Sequence, residues 1–461
     1  MGIVDGRVVA LGSPGDVRRR LGGRAELLAF PGATILPGLI DPHVHLFAMA
    51  ARFGSLDCGR FRRTTEVLRA VAQAASLLPP GAWVRGHGLD ETALGRLPTG
   101  AELDRAAPRN PVRLRHRSRH ASVLSGMALA SLGTRLPGSA VRSDGLVVGR
   151  ERLVGRASGA PPAAVIADGL ARVSRALLRR GVTTVGDATP RSGRGWGPVR
   201  EQMAAGRFHV RVSGMRAVGG RPWPAGERLW PGPVKILVEE EGTTLRPRPQ
   251  TLVRIVARAA AAGDRIAVHC LGAATLAAAL AAFEAVPRRL RPRWQHRLEH
   301  VAECPLPFVQ QVAALGLMVV TNPVFVATRG DVYRRETDPA LQPWLYRAGS
   351  FTRAGVPVAA ASDAPIGACD PWAGMAAARA RRTRAGARLG WRERVSADMA
   401  LALVTTNAAL ALGRPALGRL AIGGPADLLV VDRDPVTTRA ADVGDTEVLL
   451  TMVAGEIAWR A

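Results

Sequence analysis

Between residues 37 and 418, short apolar runs alternate with longer Ala-rich stretches whose apolar positions recur every three or four residues. The short runs have the length of buried strands and the long ones the period of amphipathic helices. Strands are expected at 183–189 (TTVGDAT), 208–216, 233–239 (PVKILVE), 265–270 (RIAVHC), 295–300, 316–322 (GLMVVTN) and 356–363 (VPVAAASD), and the strand ending at His45 makes eight. Helices are expected at 163–180, 249–262, 271–286, 305–315, 370–383 and 396–411. Strict alternation of this kind predicts a parallel sheet with helices outside it. Eight units predict an α/β protein built as a closed (β/α)8 TIM barrel, with its functional groups at the C-terminal ends of the strands.

The two ends of the chain read differently. Residues 7–12 and 25–36 are short β-like runs, and 427–433 (DLLVVDR) and 447–459 are further strands, the last pair turning near Ala454 and Gly455. This predicts a small β-sandwich domain assembled from 1–36 and 419–461, beside a barrel spanning 37–418. Residues 50–160 interrupt the alternation and are too long for one strand-to-helix loop. They are expected to form an inserted subdomain after the first strand, over the barrel mouth, with a helix around 64–78.

Composition narrows the function class. The formal net charge is +26, nearly all of it arginine scattered from Arg18 to Arg460. Without a basic stripe or interleaved aromatics, this charge is only weak evidence for nucleic acid, although RLRHRSRH (113–120) offers local positive potential to an anionic substrate. No apolar run is long enough to span a bilayer, and MGIVDGRVVALG lacks a charged-then-apolar leader layout. A cytoplasmic enzyme is therefore expected. Its partner would be a small-molecule substrate, with neither nucleic acid nor membrane, and self-association into a homo-oligomer is left open. Cys58, Cys270, Cys304 and Cys369 lie far apart, with no CxxC pair, and read as unpaired thiols.

Candidate chemistry sits at the predicted strand ends. In ILPGLIDPHVH (35–45), His43 and His45 share a face of the strand, and imidazole is a preferred ligand for zinc and similar metals. His269 closes RIAVHC, His300 closes RLEH, and Asp363 closes VPVAAASD. In a barrel these positions converge. Lys235 is the chain's only lysine, on a predicted strand in a sequence that otherwise uses arginine. Arginine cannot replace lysine where a neutral amine must act as a nucleophile, as in reaction with carbon dioxide to give an anionic carbamate.

Taken in order, LPGLIDPHVH (36–45), the block at 97–129, GVTTVGDAT (181–189), the VKILV lysine, AVHC (267–270), RLEH (297–300), SDAPIGACDPW (362–372), TTNAALALG (405–413) and GRLAIGGPADLLVVDRDP (418–435) resemble the amidohydrolase superfamily. Within it they are most similar to the amidohydrolase family 3 branch that contains N-substituted formamide deformylase. The resemblance implies two divalent metals, zinc by preference, bridged by carboxylated Lys235. His43, His45 and Asp363 would hold the more buried one, and His269 and His300 the other. It implies hydrolysis of a carbon–nitrogen bond by a water ionised between the metals, with Asp363 as general base and then acid. His120 matches a family histidine in the inserted block and would contact substrate; His116, His87 and Asp187 are weaker candidates, each expected to be structural. Three departures stand out. The N-terminal sheet is a strand or two shorter than usual, ILVEEEG replaces an aromatic and Asp-Gly after the lysine, and TNPVFVATRGDVYRRE (321–336) carries an unusual basic run. Three alternatives stay open: a mononuclear deaminase-like centre, a catalytically inactive scaffold, and a basic nucleic-acid-binding protein.

Overall fold

The computed structural model describes residues 1–461 except 23–24, 119 and 134–140. Arg119 of the basic cluster 113–120 thus lies outside the described residues.

Eight parallel strands form one sheet: β1 (Leu39–Val44), β2 (Val182–Asp187), β3 (Arg211–Arg216), β4 (Leu229–Leu237), β5 (Ile266–Cys270), β6 (Arg297–His300), β7 (Met318–Thr321) and β8 (Val358–Ala360), each beside the next in sequence. These are the eight expected strands, with ends shifted by a few residues. The ring is closed just beyond β8, where the Asp363 amide donates to the His43 carbonyl at 2.9 Å and the His45 amide donates to the Ala364 carbonyl at 2.8 Å. Buried Asp41 on β1 clamps the same seam by accepting from the Ser362 amide.

Helices Ala163–Leu178, Pro249–Ala261, Ala273–Glu284, Leu306–Ala314 and Pro371–Ala380 fall where the pattern puts them. The helix expected at 396–411 is broken into Ala397–Leu403 and Thr406–Ala411. The Val404 carbonyl accepts from the Ile40 amide of β1, so it is withdrawn from the helical ladder. The basic run after β7 is itself helical, Val324–Glu336.

Both ends of the chain share a four-stranded antiparallel sheet made by Thr34–Pro37, Leu428–Val431, Val448–Val453 and Glu456–Arg460. A hairpin, Gly2–Val4 with Arg7–Ala10, buries Val8 in one apolar cluster with Leu428, Val430 and Leu450 of that sheet. Of the run at 25–36, only the last residues are strand. Pro14–Leu21 is a helix, capped by the Ser13 hydroxyl, which accepts from the Asp16 amide.

Met1–Leu46 and Val173–Ala461 form one compact unit, and Phe47–Arg172 forms a second. The segment read as an insertion falls in the second. It has its own five-stranded sheet, from Leu56–Asp57 to Leu146–Val148, and helix Thr64–Ser76 packs Val67 and Val71 into its core. The four cysteines are free thiols. Among the described residues no helix is long and apolar enough to cross a membrane.

Candidate metal centre

The i, i+2 spacing on β1 directs His43 and His45 to one carboxylate. Asp363 Oδ1 lies 3.2 Å from His45 Nε2 and 3.7 Å from His43 Nε2. His43, His300 and Asp363 are all buried, and one ligand atom from each falls within 4.8 Å of the others. The His300 ring lies 4.6 Å from the rings of both His43 and His269, centroid to centroid. Lys235 on β4 is 6% exposed and feels the charges of Glu299 and Asp363. All six expected ligands therefore gather at the C-terminal ends of β1, β4, β5, β6 and the turn after β8.

Two of them depend on unusual backbone. On β6, alternation turns Arg297 and Glu299 into the barrel, and continuing it would turn His300 out. A φ of +69° at His300 brings its side chain back inward, and Asp363 has a φ of +54°. Left-handed backbone at non-glycine residues costs about 1–3 kcal/mol and persists where surrounding contacts enforce it. Here those contacts are side-chain hydrogen bonds. His300 Nδ1 is 2.8 Å from Asn322 Oδ1, and Asn322 Nδ2 donates to the Ala361 carbonyl at 2.9 Å.

These partners fix where the ring protons sit. The Asn322 amide group is oriented by Ala361, so its oxygen faces His300 and accepts from Nδ1–H. Glu299, whose other oxygen faces Arg297 Nε at 2.6 Å, accepts from His43 Nδ1–H. The Nε2 atoms of His43 and His300 are then left as lone pairs. Asp363 Oδ1 is buried, and among the described residues only His45 Nε2, at 3.2 Å, approaches it as a possible donor. Lone pairs and a carboxylate oxygen facing one another repel unless a cation lies among them, and imidazole with carboxylate is a donor set that suits zinc and related divalent ions. The residues present fit a metal.

Electrostatics agree. Burial pushes the His43 imidazole well below its ordinary value, pushes His269 down to about 2, with the neighbouring His300 adding to the effect, and lowers His300. Neutral rings are the metal-binding form. Burial likewise lowers the Lys235 ammonium, against the pull of Glu299 and Asp363.

Asp187, fully buried, accepts from the Leu46 and Thr189 amides at 2.9 and 2.7 Å; Thr189 Oγ1 in turn lies 2.7 Å from His45 Nδ1. Asp187 orients the loop that holds the His45 ring. His120, His116 and His87 belong to the second compact unit. His120 is solvent-exposed. His116 Nε2 lies 2.6 Å from Glu91, and His87 Nε2 accepts from Arg52 at 3.1 Å. Sequence reasoning missed the supporting roles of Asp41, Thr189, Arg297 and Glu299. The signal for the last pair was present in RLEH: two charged residues at alternate positions of an otherwise apolar, buried strand demand internal partners.

A parallel barrel with a buried imidazole–carboxylate cluster at the C-terminal ends of its strands defines a metal-dependent hydrolase barrel. The amidohydrolase family model matches residues 31–458, and the chain belongs to that family. It is 31% identical to N-substituted formamide deformylase of Arthrobacter pascens over 513 aligned residues, covering 99% of this chain and 94% of that protein. Uncharacterized metal-dependent hydrolases from Pyrococcus horikoshii and Pyrococcus furiosus share the fold, with TM-scores of 0.80 and 0.78 at 21% and 22% identity. Coverage is 95% of this chain and 94% of the first, and 94% of this chain and 95% of the second. The chain is thus a metal-dependent hydrolase acting on carbon–nitrogen bonds other than peptide bonds.

Proposed function

We propose that this protein hydrolyses a small amide of the formamide type with two divalent ions, zinc by the chemistry of the donors, and that Lys235 links them as a carbamate. His43, His45 and Asp363 would hold one ion, and His269 and His300 the other. The observation that carries this reading is the chain's only lysine, buried within electrostatic reach of His43, His269, His300, Asp363 and Glu299. A buried ammonium is disfavoured, whereas a neutral amine attacks carbon dioxide, loses a proton and becomes an anionic oxygen donor.

When bound, such ions lower the pKa of water and polarise a carbonyl oxygen. The protein's own groups do the rest. Asp363 accepts the proton of the attacking water and delivers it to the leaving nitrogen. Glu299 and Asn322 hold His43 and His300 in the tautomer that leaves Nε2 free. Asp41 and Asp187 fix the backbone on either side of His43 and His45.

Metal content of the wild type and Lys235→Arg, both purified in bicarbonate, tests the reading. About two metals per chain, falling to one or none in the variant, supports it. A single metal untouched by the substitution supports instead a mononuclear deaminase-like centre, which the tight grouping of His43, His300 and Asp363 favours as the second reading.

A further inference from the structure

The two strands that carry Lys235 and His269 continue outward with leucines. On β4, Val234, Ile236 and Val238 turn toward the helices and are 1–2% exposed, so Lys235 and Leu237 share the opposite, inward face. On β5, Ala267 packs inside the barrel with Ala188 and Met215, which puts His269 and then Leu271 on that same inward side. Leu237 is the register partner of His269. Leu237 therefore stands beside His269, and Leu271 lies two residues further up the neighbouring strand's path, diagonal to it; each is one inward step beyond the lysine or the histidine. Leu237 is 41% exposed and Leu271 47%. Two large apolar side chains left open on the inward face, directly beyond Lys235 and His269, offer an apolar surface next to the buried cluster.

The charge beside them is negative. Glu240 Oε1 and Glu303 Oε2 approach Gly272, at 2.6 and 3.8 Å from where a Cβ would stand, and the Glu303 amide donates to the Leu271 carbonyl at 2.9 Å. Glu241, next along, is paired with Arg246, but neither Glu240 nor Glu303 has an arginine partner among the described residues. In a chain of net charge +26, two unpaired carboxylates at this position discriminate against anions.

We propose that Leu237 and Leu271 receive the substituent on the substrate's nitrogen, and that this substituent is apolar and carries no negative charge. The inference rests on the amide-hydrolase reading of the adjoining centre and names its substrate class. An acidic N-substituent would meet Glu240 and Glu303, and a small polar one would leave the leucines in water.

The test uses N-alkylformamides from methyl to hexyl, with N-carboxyalkyl counterparts. Each is assayed by calorimetric binding to the protein as purified and by formate release from the metal-loaded protein. The expected result is a three- to fourfold rise in affinity, roughly, for each added methylene, with the carboxyalkyl compounds about tenfold or more weaker. Leu237→Ser and Leu271→Ser, both solvent-facing and checked by melting temperature, flatten the rise. Glu303→Gln narrows the carboxylate penalty. The proposal is overturned by a chain-length trend that is absent in wild type or unchanged in both serine variants, or by carboxyalkyl compounds that bind as well as alkyl ones. A binding trend without formate release keeps the leucine pocket and sinks the amide-hydrolase reading. Formate release without a trend does the reverse.

Discussion

His43 and Glu299, 256 positions apart, are joined by a buried hydrogen bond in which the imidazole Nδ1–H donates to the carboxylate. Among the described residues His43 Nδ1 has no other hydrogen-bond partner, and the second Glu299 oxygen faces Arg297 Nε at 2.6 Å. The pair sets the direction in which His43 presents its free nitrogen.

Breaking that pair should weaken the metal without removing a ligand. Glu299→Gln keeps the shape but loses the charge, and metal affinity should fall about 10- to 100-fold. Chelator competition measures it. An unchanged affinity would mean that Glu299 serves only to pair Arg297.

Metal should also report on stability. An ion that binds the folded chain alone raises its melting temperature with the logarithm of the excess of ion over its dissociation constant. Stripping with a chelator should lower the melting temperature and stop hydrolysis, and zinc added back should restore both. Activity that survives complete stripping, verified by elemental analysis, would refute metal dependence.

Arg211 on β3 and Asp427 in the terminal sheet form a bidentate pair at 2.7 and 3.1 Å, and Asp427 also accepts from the Ala454 amide at 2.7 Å. The two side chains are 3% and 4% exposed. Removing Asp427 leaves the buried guanidinium only exposed Glu227, at 3.4 Å, so Asp427→Ala should cost about 3–5 kcal/mol in urea unfolding. A loss below about 1 kcal/mol would mean that water reaches Arg211.

Much of the centre was legible because barrel geometry converts strand ends into neighbours, so a histidine or aspartate closing an apolar run already has an address. Lys235 was legible through composition, as the exception to a chain that uses arginine. What could not be read depends on partners far away in sequence. Nothing near 404 announces that the Ile40 amide will take the Val404 carbonyl and split a helix. Nor does RLEH reveal that Glu299 meets His43. The helix at Pro14–Leu21 is different: Ser13 followed by Pro14 is a local start signal, overlooked beside the β-like runs that flank it.

His87 gives a pH dependence of known sign. Burial holds its imidazole down at about 4, against 6.5 in the unfolded chain. As pH falls, the unfolded chain takes up the proton first. The stabilisation is therefore complete above 6.5, lost progressively between 6.5 and 4, and exhausted below. Urea midpoints of wild type should fall across this window, and those of His87→Gln should fall less. Parallel curves would remove His87 as the cause.

The ring closes where β1 meets the turn after β8, through His43, His45, Asp363 and Ala364. An open, seven-eighths barrel therefore holds no complete set of ligands, however well its strands are formed. During synthesis, the first histidines wait some three hundred residues for Asp363, and so the cluster is completed by the same contacts that close the ring. A copy of this chain whose ring is still open therefore lacks the carboxylate that stands beside its first two histidines.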